Sequence, residues 1–369
     1  AEEADRGLRG PDQHAWLSRL DAEAAGLRAA SHACVQHGDA ALALRLACAL
    51  AWYWVLRGRV AEGRRTLAAA LAVAPAAGSG ADAPDEVLRA TAMTWQAGIA
   101  ALAGEPPDAL VDDRHAAVRP CLDVLDALDP AGDGLAAPER AAFARAVLLL
   151  AIVSPIDVAS PADDPVVRLY AVFERLGDRW GEAAALSVLA YHAQLLGDFP
   201  VLRRYAHRSL DLFRGIGDRW GLLQAATPLA DAARLAGDYE QAARWYADGL
   251  RIARELGLRA EEARQLTGAG HIAQLHGEHA RARQLYLRAR ELAADESVKV
   301  MEQVADLGLA VSARRQGRHD EAERLLLPWL DWNRRADWPA GMASVLAELG
   351  YVAEQRGDAR TGSRTPRRP

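Results

Sequence analysis

Lysine is nearly missing from this chain: of 44 basic residues only Lys299 is a lysine, and the rest are arginines. Together with heavy use of alanine, that bias speaks of a GC-rich genome more than of a function. Cysteine is scarce too. Cys34, Cys48 and Cys121 have neither disulfide-framework nor metal-site spacing, so a reducing cytoplasm is expected. No uncharged apolar run reaches the roughly 18 residues a membrane helix needs. The opening AEEADRGLRG is acidic and polar where a signal peptide would be basic and then apolar, and it carries no fold signal. A net charge of 44 − 50 = −6 argues against a strong nucleic-acid or anionic-membrane surface. The arginines of the last residues, Arg364 to Arg368, lack the interleaved aromatics of a nucleic-acid interface.

Catalytic motifs are absent as well. Gly268-Ala269-Gly270 lacks the Lys-Ser/Thr and the preceding strand of a phosphate loop, and no H-E-x-x-H, G-x-S-x-G or C-x-x-C occurs. His271, His276 and His279 stand around a turn in positions that would diverge, so no metal is expected. Asp112-Asp113 and Asp163-Asp164 read as solvated helix starts. The chain is therefore expected to be no enzyme and to need no cofactor.

What is present is a repeat. Gly197-Asp198, Gly237-Asp238, Gly277-Glu278, Gly317-Arg318 and Gly357-Asp358 recur at a step of 40, and Gly177, Gly217 and Gly257 step with them half a period away. Ser297 and Asp337 fill that second slot later in the chain. Self-similarity at such a period marks a solenoid of stacked helix pairs. Seven residues before each turn stand Ala190, Ala230, Gly270, Ala310 and Gly350; four before stand Ala193, Ala233, Ala273, Ala313 and Ala353. Residues three or four apart share a helix face, so the first helix of each pair (helix A) offers a strip on which another helix packs closely. The turn Gly ends helix A in the left-handed region, and Asp198 or Asp238 can cap helix B. Helix B supplies bulk, including Leu202, Tyr205 and Leu210, then Trp245, Tyr246 and Leu250, then Leu285 and Tyr286.

Taken in order, an amphipathic helix starts near Pro11 with Trp16, Leu17, Leu20, Ala24 and Leu27 on one side. Gly58 is the first full turn, a Pro/Gly/Ser insert follows at Pro75–Pro84, and Gly104 is the next turn. Helices are predicted at Pro138–Val153 and Asp164–Leu176, because Pro155 and Pro161 forbid one continuous helix. Regular pairs follow at 179–214, 219–255, 259–294 and 297–335, with a kink expected at Pro228, then a last helix A at Trp338–Arg356. The expected organisation is a helical lead-in at 1–38 from an upstream domain, enlarged irregular repeats at 39–176, regular repeats at 177–357 and a disordered tail at 358–369. Trp52, Tyr53 and Trp54 read as core, and Trp180 and Trp220 as packing residues in equivalent slots.

Gly237-Asp238-Tyr239 with Ala242 and Tyr246, and Ala230 at the small position, resembles the tetratricopeptide repeat, whose period is about 34 residues. The string Trp16 to Ala30, leading to the stretch from Trp54 to Arg65, is similar to the segment after the ATPase and winged-helix modules of large bacterial SARP-type and LuxR-type transcriptional regulators. It resembles their MalT-like tetratricopeptide region. The resemblance implies an all-α, right-handed superhelical solenoid of antiparallel helix pairs, in a bacterial protein, with a concave groove lined by helix A. Carried onto this sequence, the groove residues are Tyr191, Gln194, Gln224, Thr227, Asp231, Arg234, Arg264, Thr267, His271, Gln274, Arg314 and Tyr351. The implied role is a non-catalytic interaction or sensor domain that binds a peptide, a protein or a small effector, or contacts the ATPase module of the same polypeptide. A scaffold that self-associates into a homo-oligomer is the alternative. No direct nucleic-acid or membrane partner is implied.

Overall fold

The computed structural model describes residues 1–73, 83–102, 121, 123, 137–153, 164–295, 298–336 and 338–357. Among them regular structure is entirely helical. The helices are α1 (Glu2–Gly7), α2 (Gln13–Gln36), α3 (Ala40–Leu56), α4 (Val60–Ala72), α5 (Ala83–Leu102), α6 (Ala137–Val153), α7 (Pro165–Leu176) and α8 (Arg179–Leu195). They continue as α9 (Phe199–Ile216), α10 (Arg219–Leu235), α11 (Tyr239–Leu256), α12 (Arg259–Leu275), α13 (His279–Asp295), α14 (Lys299–Arg315), α15 (His319–Arg335) and α16 (Pro339–Arg356).

Local chemistry sets these boundaries. Gly177, Gly197, Gly217, Gly237, Gly257, Gly277, Gly317 and Gly357 all lie at positive φ, between 66° and 83°, a region a side chain resists. Asp198 accepts from the Val201 amide at 3.1 Å and Asp238 from the Gln241 amide at 3.1 Å, each satisfying a donor that the start of a helix leaves free. Pro228 lies buried inside α10, and the helix runs on through it to Leu235. The Gly104 turn, the Pro155–Pro161 loop and the 358–369 tail lie outside the described residues, as does most of the Pro75–Pro84 insert.

The chain divides into two compact units, residues 1–236 with 251–258 and residues 237–250 with 259–369. In the first unit the motif Asp-Arg-Trp-Gly occurs twice, at 178–181 and 218–221. Asp178 caps α8 through the Gly181 amide (3.2 Å) and Asp218 caps α10 through the Gly221 amide (2.7 Å). The glycines are needed because a ring lies on each. A Cβ at Gly181 would come within 2.1 Å of the Phe173 ring, and one at Gly221 within 2.1 Å of Phe213. Arg57, at the α3–α4 turn, pairs with Asp21 of α2 at 2.6 Å and donates to the Leu256 carbonyl at 2.5 Å.

In the second unit Tyr286 of α13 is fully buried between two glycines. A Cβ at Gly270 (α12) would approach its ring to 2.7 Å and one at Gly308 (α14) to 2.5 Å, while its hydroxyl donates to Gln274 Oε1 at 2.8 Å. Ala273, Ala282 and Leu309 complete that cluster. A second cluster gathers Ala310, Ala313, Ala322, Leu326, Trp329, Val345 and Val352.

Two expectations are corrected. The first ten residues are not featureless: α1 forms, and Leu8, Ala4 and Arg9 are buried. Asp164 is not a solvated helix start. It caps α7 through the Val166 amide at 2.9 Å and is buried against His192, whose Nδ1 lies 2.6 Å from Oδ2. A partner 28 residues away lets a buried carboxylate keep its hydrogen bonds.

Candidate interaction surface

On the first unit the residues singled out from the sequence lie on α8 and α10. Tyr191 is 50% exposed. Gln194 Nε2 donates to Asp231 Oδ2 at 3.2 Å, and the Arg234 guanidinium lies 3.7 Å from Asp231 Oδ1. These three side chains form a chain of polar contacts from one A helix to the next. Among the described residues, Gln194 Oε1 and Arg234 Nε have no hydrogen-bond partner. Gln224 is half-buried. Thr227 is buried and turns its hydroxyl to the Leu223 carbonyl of its own helix at 2.9 Å.

On the second unit, Arg264 lies 3.6 Å from Glu261 on α12. Thr267 repeats the arrangement of Thr227, donating to the Ala263 carbonyl at 2.9 Å. The His271 ring meets the Tyr286 ring edge-on at 5.6 Å, and Gln274 is buried beneath as the acceptor for the Tyr286 hydroxyl. Arg314 pairs with Glu348 at 2.5 Å and lies 5.3 Å from the ring of Tyr351, which is 53% exposed. The two threonines and Gln274 thus sit within the helix packing and Arg314 is mostly buried against Glu348, while Tyr191 and Tyr351 are half exposed and Asp231 and Arg234 are partly open.

Three leucines escaped the sequence reading. Leu195, Leu235 and Leu275, two residues before successive turn glycines, are 50%, 54% and 40% exposed. On each A helix the leucine follows the groove residue six before the turn by four positions, so the pair shares a face. Their recurrence at the repeat step was the available signal, but an apolar residue is ordinarily assigned to the core. Among the described residues no cluster of three His, Cys, Asp or Glu side chains is arranged to hold a metal ion, and no helix is long and apolar enough to cross a membrane.

Residues 181–255 match the family model described as Tetratricopeptide repeat. No curated protein matches in sequence. Among solved structures, the Rap protein complexed with competence and sporulation factor aligns with TM-score 0.52 at 11% identity, covering 85% of this chain and 87% of that one. The Signal Transduction ATPase with Numerous Domains protein with a tetratricopeptide repeat sensor, from Pyrococcus horikoshii, aligns with TM-score 0.50 at 13% identity, covering 86% of this chain and 47% of that one. This chain therefore matches about half the length of that ATPase. NprR in complex with its cognate peptide NprX aligns with TM-score 0.48 at 16% identity, over 68% of this chain and 73% of that one. At these identities the likeness is one of fold: the chain is an all-α, tetratricopeptide-like array of helix pairs, with the family's own pattern readable at residues 181–255.

Proposed function

We propose that this chain is a non-catalytic interaction and sensor module of a bacterial transcriptional regulator, and that it takes a peptide or protein segment along the exposed faces of its A helices. The observation that carries the reading is the surface of α8 and α10. Tyr191, Leu195 and Leu235 stand half exposed beside the Gln194–Asp231–Arg234 chain, so apolar contact and hydrogen-bonding groups lie side by side, as recognition of a peptide needs. The likeness to a Rap protein that was solved with competence and sporulation factor supports a bound peptide or protein factor as the occupant. The regulator setting rests on the string from Trp16 to Ala30 and on the likeness to an ATPase with a repeat sensor.

The test is a thermal-denaturation screen of the chain against peptides, nucleotides and metabolites, run beside the same scan with a cognate ATPase module added. A binder specific to the native state raises the midpoint with its concentration. Arg234→Ala with Leu235→Asp, both on the open face, should weaken such a binder about tenfold or more while leaving the unliganded midpoint in place. Undiminished binding by that variant would remove the surface assignment.

A scaffold role has one observation in its favour. Leu346 of α16 is 52% exposed, whereas Leu186, at the same repeat position on α8, is 4% exposed. Sedimentation velocity across a concentration range, with Leu346→Glu as the control, separates the two: a dimer lost in the variant supports the scaffold.

A further inference from the structure

In the first unit three tryptophans build a box. Trp52 of α3 meets Trp180 of α8 and Trp220 of α10 edge-on, at centroid distances of 5.4 and 4.7 Å, and Trp180 and Trp220 stack at 5.9 Å. Trp180 Nε1 donates to Asp218 Oδ2 at 2.7 Å. All these contacts are made without the first thirteen residues. Into the box α1 and the turn after it deliver Arg9. Its guanidinium carbon lies 5.0 Å from the Trp180 ring centroid and 5.6 Å from that of Trp52, and the residue is 7% exposed. Gln13, fully buried, completes the contact. Its Nε2 donates to the Leu8 carbonyl at 2.7 Å and to Asp218 Oδ1 at 3.3 Å, and its Oε1 accepts the Trp220 amide at 3.0 Å. Pro11 lies over Gly217, where a Cβ would come within 3.0 Å of it.

A segment whose only task was to seal this gap would do so with apolar side chains, since a buried guanidinium is costly unless its donors are met. Here they are met in part. Burial holds the Arg9 guanidinium below its ordinary pKa, and Arg145 adds like charge nearby. Arg9 Nε is buried and has no hydrogen-bond partner among the described residues. The carboxylate that pairs with Arg9, Asp5 at 2.6 Å, travels on the same segment, whereas the wall's Asp178 is engaged by Arg145 at 2.8 Å. The box itself contributes what a guanidinium selects: two indole faces for cation–π contact, and a carboxylate and an amide N–H spaced for a side-chain carboxamide.

We infer that Trp52, Trp180, Trp220 and Asp218 form a recognition site for a peptide segment that carries an arginine and, four residues later, a glutamine. Residues 1–13 are its occupant in cis, a strap that exchanges with a partner segment of the same chemistry. This site is separate from the A-helix surface and does not rest on the reading of that surface.

The test uses the full chain carrying Arg9→Ala and Gln13→Ala, which weakens the strap and leaves the walls intact, and a synthetic peptide of residues 1–15 titrated by calorimetry. The double variant is expected to bind the peptide saturably, and the unaltered chain about tenfold or more weakly, because its site is filled. A peptide with Arg9→Ala should lose about tenfold on the variant. A double variant that keeps its helical circular dichroism and cooperative unfolding but takes up no peptide overturns the proposal. Should the variant fail to fold, hydrogen exchange on the unaltered chain decides. Amides of residues 4–13 exchanging about a hundredfold faster than those of α3 and α10 bear out an exchangeable strap; protection equal to that of α10 overturns it.

Discussion

Asp218 is the buried carboxylate whose titration the fold makes measurable. It has no exposed surface and accepts from the Gly221 amide, the Trp180 indole and Gln13. Burial is the largest influence and raises its pKa from 3.8 to about 6, against the pull of those hydrogen bonds and of Arg9. A carboxyl group whose folded pKa lies above its unfolded one adds stability that is fully present below the unfolded value. That stability is lost as pH rises through the folded one. Between about pH 8 and pH 5 the group should therefore add roughly 1.4 kcal/mol to the stability of the first unit. Asp218→Asn keeps an acceptor for Gly221 and cannot titrate. The assay is urea unfolding followed by tryptophan fluorescence at both pH values. Subtracting the variant from the wild type cancels the titration of all other groups. The wild-type-minus-variant difference should grow by roughly 1.4 kcal/mol on acidification. A difference constant to within about 0.5 kcal/mol, the additivity error of such comparisons, would refute the reasoning. A difference that shrinks on acidification would mean that hydrogen bonding outweighs burial at this site.

Other perturbations test the packing. Gly221→Ala, which sets a Cβ against the Phe213 ring, should cost about 1–3 kcal/mol or more, and Phe213→Leu should recover part of that in the double variant. Tyr286→Phe should lose about 1 kcal/mol with the bond to Gln274, whereas Tyr286→Ala should lose about 3–5 kcal/mol by opening a cavity; both are read from chemical denaturation of the second unit. Gly237→Ala meets no neighbouring atom, so only the backbone at φ 83° resists it; a loss of about 1 kcal/mol is expected, with Gly237→Asn milder in the same thermal scan.

The helix pairs were legible because the turns write their needs locally: a glycine for positive φ, small residues four and seven positions earlier and, at Asp198 and Asp238, an aspartate for the next helix's amides. The strap was not legible, because Gln13 and Asp218 are 205 residues apart and Gln13 belongs to no periodic pattern. Asp164 looked solvated for the same reason, its partner His192 lying on another helix. Among the residues the register singled out, Tyr191 is half exposed, and Asp231 and Arg234 are partly buried beside each other. Thr227 and Thr267 are drawn inward because each hydroxyl bonds the carbonyl four residues back on its own helix, which removes the cost of burying it. The exposed leucines ran against the usual sense of hydrophobicity, and the residue type alone points the wrong way.

Tyr286 has a consequence for how the second unit yields. Its ring is held by glycines on two A helices, one on either side of α13. In a linear array, neighbouring repeats ordinarily come apart one at a time, each with its own equilibrium. A ring shared across both boundaries ties those equilibria together, since fraying of α12 strips a wall from the pocket that also seats α14. The middle of this unit should therefore open in one cooperative step, its amides reaching solvent together, while the ends loosen independently.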